Sequence, residues 1–234
     1  MSSVPKKAIP VKVLPISATI EDVQEMMGVF KEAFGPDPLM EFCFNQPDVS
    51  HTPKEEQVAK HLERIKSGQF LYHKAVSVEN PNGPILGVAA WYWVEDPLNS
   101  TQNIPWGDPP AGVHLECYEG SFGSIRRWRL NYFRERDQPF AYMAILTVLP
   151  EAQRRCVGSA LLREGLREAD LRGLPAFIEA SPKGRGLYKK FGWEDMYAST
   201  VNLKDYGGED LECVTWAMIR PSGAKEMVEE PTTA

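Results

Sequence analysis

Gln153, Arg154, Arg155, Cys156, Val157, Gly158 and Ser159 lie between an apolar run and the start of an amphipathic one, a placement that suits them to hold phosphate. The apolar run, Ala141 to Val148 (AYMAILTV), is partly β-branched and reads as a strand. Pro150 ends it, because proline offers no N–H to a ladder. From Gly158 onward Leu162, Leu166 and Ala169 recur at helical spacing, with Arg163, Glu164, Arg167 and Glu168 left for solvent. A strand, a tight basic loop and a helix start in this order aim unsatisfied backbone N–H groups at one point, and such a point binds phosphate. No Gly-Lys-Ser or Gly-Lys-Thr follows the loop and no G-x-G-x-x-G is present, so the P-loop and dinucleotide patterns do not apply.

A second segment, Leu187 to Trp193 (LYKKFGW), follows downstream. With the loop, in this order, it resembles the GCN5-related N-acetyltransferase (GNAT) superfamily. The acyl-CoA loop of that family usually reads Q/R-x-x-G-x-G/A, and its later helix ends L-Y-x-x-x-G-F/W. Gln153, Arg154, Arg155, Val157, Gly158, Ser159 and Ala160 fit, and Cys156 stands where the first glycine is usual. The segment Glu179 to Tyr188 (EASPKGRGLY) is similar to the form seen in many fungal members. The resemblance spans about residues 10–220, with specific motifs over 140–195.

The resemblance implies acetyl-CoA as cosubstrate and an amine as acceptor, small molecule or peptide, attacked directly in a ternary complex. Main-chain groups of Leu146, Thr147 and Val148 would pair with the pantetheine arm like an added strand. An N–H near Val148 would face the thioester oxygen. N–H groups from Arg154 to Ser159, through Arg155, Cys156, Val157 and Gly158, would hold the pyrophosphate. Tyr188 matches the family's acid for the CoA thiolate; a phenol with an ordinary pKa of about 10 carries its proton at neutral pH. The other reading of Tyr188 is a packed helix tyrosine beside Leu187 and Phe191. Ser181 replaces the usual asparagine seven positions earlier, and its hydroxyl has a shorter reach. For the proton acceptor, Glu179 is nearest the expected splay, with Glu95, Asp96, Glu116 and Glu119 as alternatives. At Cys156 a negative φ and a small tolerated thiol are expected; a thiol of lowered pKa at a helix start is the other reading. A non-catalytic acyl-CoA-binding or interaction module on the same fold is the alternative function.

These residues need elements to position them. Val11 to Pro15 reads as a strand, and Thr19 with Asp22 as the capping box of a helix striped by Val23, Met26, Met27, Phe30 and Phe34. Lys54 to Lys66 is a second helix, on which His61 reads as a packing residue. Phe70 to Val78 and Ile85 to Val94 form a hairpin around Asn80-Pro81-Asn82-Gly83-Pro84. Ala176 to Ala180 is a short strand, Lys183 to Phe191 a helix, and Trp193 to Leu203 with Cys213 to Ile219 a closing antiparallel pair. The expected fold is α/β, of the α+β kind: a mostly antiparallel, splayed central sheet flanked by helices. One domain over residues 10–220 is expected, with flexible tails at 1–9 and 221–234 and an insertion at about 95–137. That insertion holds Trp106, Trp128, Tyr132 and Phe133 and suits either a pocket wall or a surface excursion.

Composition narrows the classes. A formal net charge of −6 argues against a nucleic-acid surface. Arg126 to Arg129 reads as ordinary solvated helix. The four cysteines show no C-x-x-C, so neither a zinc ribbon nor a disulfide framework is signalled; His114 and Cys117 read as coincidence, no metal is expected, and a reducing, cytoplasmic compartment fits. No secretory leader is read and no apolar run approaches a membrane span.

Overall fold

The computed structural model describes residues 7–44, 53–68, 70–99, 109 and 111–226. Its centre is a seven-stranded sheet in the order β1-β2-β3-β4-β5-β7-β6. The strands are β1 (Val11–Pro15), β2 (Phe70–Ser77), β3 (Gly87–Val94), β4 (Phe140–Val148), β5 (Ala176–Ala180), β6 (Glu194–Asn202) and β7 (Glu212–Arg220). Every neighbouring pair is antiparallel except β4 with β5, which the crossover helix α6 (Val157–Leu171) makes parallel.

That parallel pair is short for a local reason. Ala141–Met143 pairs with Ala176–Ile178, and there the ladder stops. On its other side β4 pairs with β3 through a bulge: Met143 faces Trp91 and Ile145 faces Ala90, which leaves Ala144 as the extra residue. An extra residue bends the bulged strand and increases its twist, so the rest of β4 turns away from β5. β5 ends at Ala180 because Ser181 and Pro182 start helix α7 (Pro182–Lys190). The sheet therefore opens into a V between the two strands.

Helices cover both faces, and the strand period sorts the side chains between them. On β3, Val88, Ala90, Tyr92 and Val94 join the core under α1 (Ile20–Phe34), α3 (Lys54–Ser67) and α5 (Ser124–Arg134). Ala89 and Trp91 join the core under α6 and α7. Fully buried Leu161 and Leu162 fix α6 there, each worth about 1.5–3 kcal/mol in transfer terms. Trp91 lies against α6 where Gly165 has no side chain; a Cβ there would stand 1.9 Å from the indole nitrogen. At the far end of α6, Asp170 accepts two bonds from Arg220 of β7, and Arg220 also donates to the carbonyl of Phe191.

The expected strands and long helices match in type and nearly in bounds. Helix α2 (Pro38–Phe44) has no counterpart in the periodicity reading. Its seven residues, PLMEFCF, are too few and too apolar to show a helical stripe; the readable signal was Asp37-Pro38. Asp37 caps the helix by accepting from the N–H groups of Leu39 and Met40. Within the expected insertion lie α4 (Leu115–Tyr118), a π-turn over Glu119–Gly123, and α5. Trp106 lies outside the described residues, as do 1–6 and 227–234 of the expected tails. Lys7 and Ile9 of the first tail are bonded to Arg155, and Glu226 of the second pairs with Arg163.

Candidate active site

The V between β4 and β5 opens into a cavity of about 890 Å³. Met143, Ala144, Ile145 and Leu146 form one wall, Ile178 and Glu179 the other, and Ser181 and Tyr188 stand beyond the end of β5. Of the candidate site residues, Leu146, Glu179, Ser181 and Tyr188 share this cavity. Thr147 is buried, and its hydroxyl has no hydrogen-bond partner among the described residues.

The basic loop sits at the end of β4. The side chain of Gln153 donates to the Val148 carbonyl across 3.0 Å and ties loop to strand. Val157, Gly158 and Ser159 occupy the first turn of α6, so their N–H groups have no acceptor within the helix. Cys156 precedes them with φ at +67°, in the left-handed region. The negative φ expected there is wrong: the chain keeps the conformation a glycine would take and carries the Cβ regardless. A left-handed residue followed by helical Val157 curls successive N–H groups into a concavity of the kind that suits an anion. Cys156 is exposed. Gly158 allows the helix start to approach its neighbours: a Cβ there would be 3.2 Å from Leu187 and 3.7 Å from Val148.

Tyr188 is 5% exposed, with Trp193 edge-on at 5.7 Å. Burial raises its phenol above the ordinary value, so it holds its proton throughout the neutral range. Gly184 makes the room, since a Cβ there would lie 2.8 Å from the tyrosine ring and 3.1 Å from its oxygen. Ser181 caps α7 by accepting from the Gly184 N–H at 3.4 Å, which leaves its own hydroxyl proton to donate.

Glu179 ends the other wall. Arg129, whose side chain is 3% exposed, donates to it at 3.1 Å. Arg129 also lies 4.5 Å over the Tyr142 ring. Desolvation raises the carboxyl of Glu179, opposed by the Arg129 charge and a bond from Tyr142. The reading of Arg126 to Arg129 as solvated helix therefore fails at Arg129, which α5 buries against Glu179 and the Tyr142 ring. The signal lay in the period: Ile125, Arg129 and Phe133 share one buried face of that helix. Arg126 and Arg127 pair with Glu119. The other acids considered, Glu95, Asp96, Glu116 and Glu119, are not among the lining residues of this cavity.

Residues 83–193 match the model of the Acetyltransferase (GNAT) family. That span contains both the basic loop and the LYKKFGW segment. The open, mostly antiparallel sheet with its flanking helices is the GNAT fold. The chain superposes on arylalkylamine N-acetyltransferase 2 from Aedes aegypti with a TM-score of 0.60 at 15% identity, over 91% of this chain and 99% of that one. A histone acetyltransferase HPA2 and related acetyltransferase from Corynebacterium glutamicum gives 0.55 at 22% identity, over 96% and 100%. Arabidopsis thaliana NAA60, solved with a bisubstrate analogue, gives 0.54 at 10% identity, over 92% and 99%. In the GNAT frame, the splay, the bulge at Ala144 and the start of α6 all lie at one end of the sheet.

His61 and His114 make internal contacts. His61 sits 3.2 Å from the Tyr72 hydroxyl and edge-on to Phe30, and burial lowers its pKa to about 4, as suits a packing residue. His114 accepts from the Cys117 N–H and its other ring nitrogen meets the Tyr206 carbonyl, while Cys117 lies 3.3 Å from Cys43, sulfur to sulfur. Among the described residues, no group of three His, Cys, Asp or Glu could hold a metal, and no helix is long and apolar enough to cross a membrane.

Proposed function

We propose that the protein transfers an acetyl group from acetyl-CoA to an amine, by direct attack in a ternary complex. The observation that carries this reading is one cavity lined both by Tyr188 and Ser181 and by Glu179, at the point where β4 leaves β5. Bound acetyl-CoA supplies the activated acyl carbon and a thiolate leaving group. The first-turn N–H groups of α6 and the concavity at Cys156 suit its pyrophosphate, with the helix dipole adding about 0.3–1 kcal/mol. The edge of β4 from Leu146 to Val148, unpaired toward β5, suits its amide-bearing arm. Glu179 takes the proton from the attacking amine, and its raised pKa matches that task. Tyr188 keeps a proton at Oη for the departing sulfur and regains one from solvent. The fungal likeness of Glu179 to Tyr188 and a cytoplasmic setting belong to the same reading; the cysteines are unpaired by disulfides, which a reducing compartment permits.

Thiol release from acetyl-CoA over a panel of amines tests it, alongside calorimetric titration with CoA. Amine-dependent release supports the transferase. CoA binding with no release from any amine would instead favour the acyl-CoA-binding module, for which the Cβ of Cys156 and the capping commitment of Ser181 speak.

A further inference from the structure

Two residues of the basic loop, Arg154 and Cys156, hold φ at +58° and +67°, in the left-handed region that L-residues avoid. Such backbone persists only where its surroundings over-determine it. One end of the loop is tied to β4 by Gln153. The other restraint comes from the start of the chain. The Ile9 N–H donates to the Arg155 carbonyl at 3.0 Å, and Arg155 Nε donates to the Lys7 carbonyl at 3.0 Å. Arg155 stands between the two left-handed residues, so both bonds act on the strained stretch itself.

These bonds have firm ground behind them. The Pro10 carbonyl accepts from the Val78 N–H at 3.0 Å, directly before β1 enters its ladder with β2 at Val11 and Ser77. The Ile9 side chain packs, partly buried, against the core under α6. Residues 7–9 thus extend the sheet edge and lie against the loop. In a planar trans peptide the carbonyl and the following N–H point in opposite directions. Holding the Arg155 carbonyl on Ile9 therefore fixes the Cys156 N–H facing away from the N-terminal segment, and with it the turn that leads into the first N–H groups of α6.

We propose that residues 7–9 brace the coenzyme loop: the Ile9 N–H and the Lys7 carbonyl, acting through Arg155, keep Arg154 and Cys156 in the conformation that gathers N–H groups for the pyrophosphate. This role rests on the acetyl-CoA reading and makes Lys7, Ile9 and Arg155 positioning residues of the donor site. The test is equilibrium titration of the full chain with CoA and with pantetheine, which has the amide arm but no pyrophosphate. Ile9→Pro removes the N–H without changing charge and should weaken CoA about three- to tenfold, the scale of one lost hydrogen bond, while pantetheine stays within about twofold. Arg155→Lys keeps the charge, loses the Nε–H and should shift CoA in the same direction; it guards against a folding defect peculiar to the proline. Ile9→Val keeps the N–H and should bind CoA as the unaltered chain does. Unchanged CoA affinity in both Ile9→Pro and Arg155→Lys, equal losses for CoA and pantetheine, or Ile9→Val as weak as Ile9→Pro would overturn the brace and leave the acetyl-CoA reading standing. An unaltered chain that binds no CoA would overturn that reading, and the brace with it.

Discussion

The guanidinium of Arg129 stands 3.1 Å from the carboxylate of Glu179, with 3% and 18% of the two side chains exposed. The residues come from α5 and β5, so the bond spans the face of the sheet beside the splay. Burial raises the Glu179 carboxyl and Arg129 restrains that rise. A base must be deprotonated to act, so the acid limb of the pH–rate profile should lie above the ordinary carboxylate range. Arg129→Gln removes the restraint and should move that limb alkaline by about one unit or more. A pH profile of kcat/KM checks the shift, and an unmoved limb would dissociate Glu179 from the rate.

The same shift has a consequence for stability. The folded state holds the Glu179 proton more tightly than the unfolded chain does. Stability from this group is therefore full below the ordinary carboxylate pKa and declines as pH rises through the raised folded value. Glu179→Gln should flatten that decline, as read by urea unfolding at a series of pH values.

Tyr188→Phe keeps the ring that packs beside Trp193 and removes only the hydroxyl. CoA affinity should be retained while turnover falls by about tenfold or more, the scale of a lost general acid. Calorimetry and steady-state kinetics together separate this from a packing defect, which would lower both.

Cys156 carries a side chain in a conformation that costs an L-residue about 1–2 kcal/mol. Cys156→Gly relieves the steric part of this and gives some back through the freedom of the unfolded chain. Thermal melts are expected to show equal or higher stability, and CoA titration equal or tighter binding because no Cβ stands over the N–H groups. Weaker CoA binding in this variant would mean that the Cys156 side chain contributes to the site rather than obstructing it.

Gly165 has no space for a side chain where the buried Trp91 indole meets α6. Gly165→Ala should destabilise the fold by about 1–3 kcal/mol despite its better helix propensity. Chemical denaturation measures the balance; a stabilised variant would mean that the indole shifts freely.

Much of the fold was legible because its signals are local. Alternation with period 2 marked the strands, and Leu162, Leu166 and Ala169 marked α6. Gln153 to Ser159, lodged between strand and helix, marked the start of α6. Helix α2 escaped because seven residues, six of them apolar, carry no stripe, although Asp37 caps it as its type allows. Arg129 escaped because charge was read ahead of its place in the buried face shared by Ile125 and Phe133.

By itself, then, the chain's order of residues determined the strands, the long helices, their sequence and the loop that opens α6. Only the tertiary structure decided that Ala144 would bulge, that Arg129 would meet Glu179, and that Phe44 would come within 6.1 Å of Phe122. Propensity and period act over a few neighbouring residues. These pairings join residues fifty or more positions apart in the chain, and which of many possible partners meet is set by how the sheet and its helices pack.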